Sequence, residues 1–188
     1  MFNNIKGLAI DFDEVMVETI DSLVNILNKD YNLSANSKNV RAWNLEDVYP
    51  TLSKKQVNEV FEDKRFFYDL KLKPNLIETL KRINENYPII IVTLGSPQNL
   101  LMKRKYIKDN IESQGINLRF FGLISDKEDK SKVNLDSWVF VDDNQKNLEV
   151  SNASKKVLFE NRKNAEWNKD WNGEKIQDIS EILEYFDL

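Results

Sequence analysis

Three places in the chain put oxygen-bearing side chains directly after short apolar runs. Leu8-Ala9-Ile10 leads into Asp11-Phe12-Asp13, Ile89-Ile90-Ile91-Val92 into Thr93, and Val139-Phe140-Val141 into Asp142-Asp143. In an open parallel α/β sheet, ligands bind in the crevice beyond the carboxyl ends of the strands, so residues at such ends are placed to meet. Carboxylates gathered in a partly dry crevice repel one another, and each resists ionisation beside its neighbours. A cation is therefore expected among them. An all-oxygen ligand set suits a hard ion such as Mg2+, which keeps several waters and commonly bridges to phosphate. Taken alone, Asp11-Phe12-Asp13 reads as a strand-end turn, and Asp142-Asp143 before Asn144 as a helix cap. The coincidence of all three strand ends favours a site.

The composition removes most other chemistries. With no Cys and no His, the chain has no thiolate nucleophile, imidazole base, Ser-His-Asp triad, CxxC redox pair or ordinary zinc site. If the protein is an enzyme, Asp or Glu must carry the reaction. Its five glycines, Gly7, Gly95, Gly115, Gly122 and Gly173, are too scattered for a GxGxxG fingerprint or a P-loop. A net charge of −4 disfavours long nucleic acid as a partner. A small anionic substrate remains compatible where local lysines or a bound metal supply positive charge. No run approaches the roughly 20 apolar residues of a membrane helix. Met1-Phe2-Asn3-Asn4-Ile5-Lys6 lacks a signal-peptide core, so a cytoplasmic location and no membrane partner are expected.

Elements that would position these residues follow from the hydrophobic pattern. Leu8 to Ile10, Ile89 to Val92, Phe120 to Ile124 and Trp138 to Val141 run continuously apolar, as strands of a sheet covered on both faces do; Val157 to Phe159 is a fifth candidate. Helical spacing links Leu76, Leu80 and Ile83; then Leu100, Ile107 and Ile111; then Ile176, Ile179, Leu183 and Phe186. Alternating strand and helix predicts a doubly wound α/β fold with a parallel sheet. The interval 17–74 breaks the alternation. Ile20, Leu23, Leu27 and Tyr31 have helical spacing, Asn32 to Asn39 reads as a loop, and Ser53-Lys54-Lys55-Gln56 matches a capping box ahead of Val57, Val60 and Phe61. The expected organisation is an α/β core of residues 1–16 and 75–188, with a helical insertion at 17–74.

In order and setting, Asp11-Phe12-Asp13, Thr93 and Asp142-Asp143 resemble motifs I, II and IV of the haloacid dehalogenase (HAD) superfamily, whose fold is a Rossmann-like sheet with a cap inserted after the first strand. Phe66-Phe67-Tyr68-Asp69-Leu70 before Pro74, Ser96-Pro97 after Thr93, and Lys105-Tyr106 resemble the 5'(3')-deoxyribonucleotidase branch, where the insertion is a small substrate-selecting cap. The third motif of the superfamily is a lysine. Lys132, ten residues before Asp142, has a spacing similar to that branch, with Lys127 and Lys130 as rivals and a solvated charge run as the bland reading. Two departures stand out. Glu14 occupies a place where the superfamily usually has glycine, and Thr93-Leu94-Gly95-Ser96-Pro97 interrupts a contiguous Thr-Ser-Pro. Ser96 before Pro97 also reads as a helix N-cap.

The resemblance implies an Mg2+-dependent phosphomonoesterase acting on nucleoside monophosphates. Asp11 would be the nucleophile and Asp13 the general acid and base. Thr93 and Lys132 would bind phosphate, and Asp11, Asp13 (through its carbonyl), Asp143 and, through water, Asp142 would hold the metal. Trp43, Tyr49, Phe66, Phe67 and Tyr68 are candidates to stack on a base, although aromatic residues there also suit the insertion's own core. Lys103, Arg104 and Lys105 form a basic run expected to face solvent, and Trp167 and Trp171 are expected to pack the tail onto the domain. Other readings stay open: another small ester such as a sugar phosphate or nucleic-acid end, or a phosphate-binding protein without turnover. The oligomeric state is open too, with a homodimer as one option.

Overall fold

A computed structural model of the protein describes residues 5–42, 45–161 and 165–188. Six parallel strands form one sheet in the order β3-β2-β1-β4-β5-β6: β1 (Gly7–Ile10), β2 (Ile89–Gly95), β3 (Leu118–Ile124), β4 (Trp138–Asp142), β5 (Lys155–Phe159) and β6 (Glu174–Ile176). The apolar stretches Leu8 to Ile10 of β1, Ile89 to Val92 of β2 and Val139 to Val141 of β4 are buried, because helices cover both faces. The chain winds outward from β1 through β2 to β3, then returns beside β1 and winds the other way through β4 to β6. The order therefore reverses between β1 and β4, where Ile10 pairs with Val141. Such a switch point opens a crevice at the carboxyl ends of the two strands.

Helices α4 (Leu76–Asn84), α5 (Pro97–Asn110) and α6 (Gln145–Val150) connect the strands. Between β1 and α4 lie α1 (Thr19–Tyr31), α2 (Lys54–Val60) and α3 (Lys64–Tyr68), with short 3-10 turns and, among the described residues, no strand of the sheet. The expected capping box at Ser53 and Gln56 starts α2. Leu23 and Leu27 of α1, Val57 and Val60 of α2, and Phe66 and Phe67 of α3 join one apolar cluster with Phe12, Tyr106 and the sheet residues Leu8, Ile10 and Ile91. Phe12 packs edge-on against Tyr106, with centroids 5.8 Å apart. Burying one such ring stabilises the fold by roughly 1.5–3 kcal/mol.

Three expectations need correction. The stripe ending in Phe186 forms a 3-10 helix, Ile179–Phe186, and Ile176 belongs to β6 instead. β6 escapes a pattern search because Glu174-Lys175-Ile176 is a short, mostly polar edge strand. The β3 segment is not covered on both faces: it forms the opposite edge, and Phe121 is exposed. Among the described residues, no helix is long and apolar enough to cross a membrane.

Candidate active site

Asp11 is the first residue beyond β1, and its backbone N–H donates to the Val141 carbonyl at 2.9 Å. That bond sets Asp11-Phe12-Asp13 against the end of β4, where Asp142 closes the strand and Asp143 follows. Asp11, Asp142 and Asp143 are all buried, and each offers a carboxylate oxygen within 4.8 Å of the others. Burial first, then the neighbouring carboxylates, raise the Asp11 pKa to about 6 against the pull of Lys130. The same causes, with Glu14 adding to them, push Asp143 well above the ordinary carboxylate range.

The lysine among these acids is Lys130. Its ammonium lies 2.7 Å from Asp11 Oδ1 and also pairs with Asp142 Oδ2. Burial opposes its charge, but the two carboxylates outweigh that cost and hold its pKa above the usual lysine value. A 3-10 turn, Lys130–Lys132, capped by Asp129 accepting from Ser131 N, presents it inward. With three residues per turn, side chains two positions apart leave on different sides. Lys132, the spacing-based choice, is consequently exposed, as is Lys127.

Asp13 and Thr93 are joined by a residue that charge patterning assigned to solvent. Lys103 on α5 is 1 % exposed; it pairs with Asp13 Oδ2 and donates to Thr93 Oγ1 at 3.0 Å and the Leu94 carbonyl at 2.7 Å. All three ammonium protons thus have partners. Thr19 at the start of α1 donates to the other Asp13 oxygen at 2.8 Å. A signal for Lys103 existed: it lies three residues after Leu100 and four before Ile107, on the inward stripe of the helix. Of its neighbours, Lys105 is exposed as expected and pairs with Asp109, whereas Arg104 is half-buried and pairs with Glu112 at 2.9 Å.

Glu14 adopts a left-handed conformation with φ of 57°, the region that favours glycine. Occupying it costs a side-chain-bearing residue about 1–2 kcal/mol. The side chain offsets that cost locally. Oε1 accepts from Ile20 N at 2.8 Å, in the first turn of α1 that Glu18 leaves without a side-chain cap, and Oε2 accepts from Asn161 Nδ2. The Glu14 departure therefore keeps the backbone path that a glycine would take. In the second departure, Ser96 caps α5 by accepting from Asn99 N at 3.2 Å, and its hydroxyl donates to Glu62 between α2 and α3.

Among the stacking candidates, Tyr49, Phe66 and Phe67 are buried in the apolar cluster, whereas Tyr68 is 83 % exposed. Trp43 lies outside the described residues. Trp171 packs on the second apolar cluster, around Phe140 and Leu158, as expected of the tail, while the Trp167 indole N–H reaches the Asp143 carbonyl at 3.1 Å.

The residues present fit a divalent cation. Among the described residues, buried Asp11 Oδ1 meets no hydrogen-bond donor other than the Lys130 ammonium at 2.7 Å. Asp142 already accepts from Lys130, from Asn144 N at 2.9 Å and from Asn147 Nδ2 at 3.0 Å. One lysine for three crowded carboxylates leaves an excess of negative charge that a hard cation would neutralise.

A parallel sheet that reverses at β1 and β4, with Asp11 and Asp13 beyond one strand end and paired aspartates at the other, is the arrangement of HAD-like folds. Solved structures agree on the fold. A haloacid dehalogenase-like family hydrolase from Streptococcus pneumoniae superposes with a TM-score of 0.67 at 18% identity, covering 97% of this chain and 99% of that one. A protein from Bacillus subtilis described as a "putative HAD-hydrolase", solved bound to magnesium, superposes with a TM-score of 0.64 at 10% identity, covering 99% of this chain and 100% of that one. Residues 3–185 match the family model described as 5' nucleotidase, deoxy (pyrimidine), cytosolic type C protein, and the chain belongs to that family. Curated relatives named "Putative 5'(3')-deoxyribonucleotidase" include one from Staphylococcus aureus, 28% identical over 101 residues (54% of this chain and 56% of that protein). One from Staphylococcus epidermidis is 28% identical over 88 residues (47% and 49%). The matched stretch thus spans about half the length of these relatives.

Proposed function

We propose that this protein is a metal-dependent phosphomonoesterase that hydrolyses nucleoside monophosphates, with deoxyribonucleotides preferred. The observation that carries the reading is Asp11 at the switch point, buried beside Lys130, Asp142 and Asp143. The family match supports the substrate class. Asp11, Asp143 and the Asp13 carbonyl would hold Mg2+, with Asp142 reaching it through water. The ion would supply positive charge that lets an anionic nucleophile approach an anionic phosphate.

The protein's own groups account for the remaining steps. An Asp11 carboxylate oxygen attacks phosphorus, the bond from phosphorus to the ester oxygen breaks, and that oxygen takes a proton from Asp13. Asp13, now ionised, accepts a proton from the water that cleaves the aspartyl-phosphate, returning Asp11 as a carboxylate and releasing inorganic phosphate. Thr93 and Lys130 donate to the phosphoryl oxygens as charge gathers there. In this proposal Lys130 takes the phosphate-binding role that spacing assigned to Lys132. Helices α1 to α3 stand as the cap of an α/β core. Phosphate release across a panel of ribo- and deoxyribonucleoside monophosphates and sugar phosphates, with and without Mg2+, tests the reading. Fastest release from deoxyribonucleoside monophosphates, only with the metal, is expected. Binding of nucleotide without release would overturn it in favour of a binding protein.

A further inference from the structure

The carboxyl-terminal part of the chain reaches back to the acidic site. The segment around residues 165–168 follows β5 and precedes β6, far in sequence from every motif residue, yet it closes on one atom: the Asp143 carbonyl oxygen. Asn168 Nδ2 donates to that oxygen at 2.6 Å and Trp167 Nε1 donates at 3.1 Å, so both of its lone pairs are taken. The other end of the Asn168 amide accepts from Gln145 N at 2.9 Å, at the start of α6. Asn168 is itself buried, and its two bonds span the carbonyl of Asp143 and the amide two residues on. From the opposite side, Asn144 N and Asn147 Nδ2 fasten the same turn to the Asp142 carboxylate. A turn tied at this many points has little freedom to rotate its peptide planes, and the direction of the Asp143 carboxylate follows from theirs.

We infer that Asn168 and Trp167 are positioning residues of the metal site: by clamping the Asp143 carbonyl, they fix the Asp143 carboxylate beside Asp11. The inference rests on the metal-dependent reading above. Groups that orient a metal ligand without touching the metal typically change affinity by about 10- to 100-fold when removed. Trp171 provides a control within the same segment, because its indole N–H goes to the Glu174 carbonyl at 3.0 Å and not to the site.

The test is isothermal titration of MgCl2 into the substrate-free full chain. Variants are Asn168→Asp, which keeps the acceptor for Gln145 N but turns an acceptor toward the carbonyl, Trp167→Phe, which keeps a ring but loses the donor, and Trp171→Phe. We expect the Mg2+ Kd to rise about tenfold or more in Asn168→Asp and Trp167→Phe and to stay within about twofold in Trp171→Phe. Thermal unfolding without metal checks that each variant is folded; should Asn168→Asp fail this check, Trp167→Phe against Trp171→Phe decides. Unchanged affinity in folded Asn168→Asp and Trp167→Phe, or equal weakening in both tryptophan variants, overturns the inference while leaving the metal site standing. A wild-type protein that binds no Mg2+ overturns the metal reading, and the inference with it.

Discussion

Lys130 and Asp11 lie 2.7 Å apart with almost no exposed surface on either side chain, and the same ammonium bonds Asp142. A single buried cation therefore links the nucleophile candidate just beyond β1 to the acid at the end of β4. Lys130→Met should reduce kcat by about 10²-fold or more, the usual cost of removing a preorganised donor to a charged transition state. Lys132→Met should leave kcat within about twofold, because exposed charges contribute little. Steady-state kinetics on a deoxyribonucleoside monophosphate compares them directly.

Lys103 makes the corresponding link between Asp13 and Thr93. Lys103→Met keeps the length of the side chain but leaves the Asp13 carboxylate to Thr19 alone. We expect kcat to fall by about 10²-fold, the lower range for disturbing a general acid and base, while Lys105→Met has no effect. Far-ultraviolet circular dichroism of both variants separates this from unfolding.

The two lysines show where sequence reading succeeds and where it stops. The strand ends were legible because a fully covered parallel strand must be apolar, so Asp11, Thr93 and Asp142 stand out against their own runs. Charge type alone says less. Lys130 and Lys132 differ only in which side of a 3-10 turn they leave, and that geometry depends on the Asp129 cap. Lys103 sits within a basic run yet on the apolar stripe of α5, and the stripe decided its burial. Glu14 departs from the superfamily's usual glycine, where a side chain costs energy; its bond to Ile20 N was not legible, since the pairing requires α1 to begin where it does. The Asn168 clamp joins residues 25 apart with no periodicity between them.

Stability without metal should depend on pH in a direction set by the crowded acids. The folded-state pKa of Asp11 is raised to about 6 from an ordinary 3.8, so between these values the folded state binds more protons than the unfolded one. Stability contributed by this group is therefore lost as pH rises through that window, with Asp143 acting in the same direction. Wild-type protein, compared with Asp11→Asn, should gain Tm as pH is lowered from about 7 to about 5. A difference between the two proteins that does not change with pH would contradict this.

Addition of Mg2+ should reverse that penalty. A ligand that binds only the folded state at 100 times its Kd stabilises by about 2.7 kcal/mol, so the Tm should rise measurably at neutral pH. Asp143→Asn should remove most of the rise, whereas Asp136→Asn, at an exposed position before β4, should keep it. Differential scanning fluorimetry against MgCl2 concentration provides the comparison.

In the proposed reaction Asp11 takes the phosphoryl group. Acid quenching of the Mg2+-loaded enzyme during turnover of a deoxyribonucleoside monophosphate, followed by peptide mass spectrometry, should find phosphate on the peptide containing Asp11, and none in Asp11→Asn, which should be inactive though folded. Wild-type turnover with no phosphorylated aspartate, or an Asp11→Asn protein that keeps most of its activity, would contradict it.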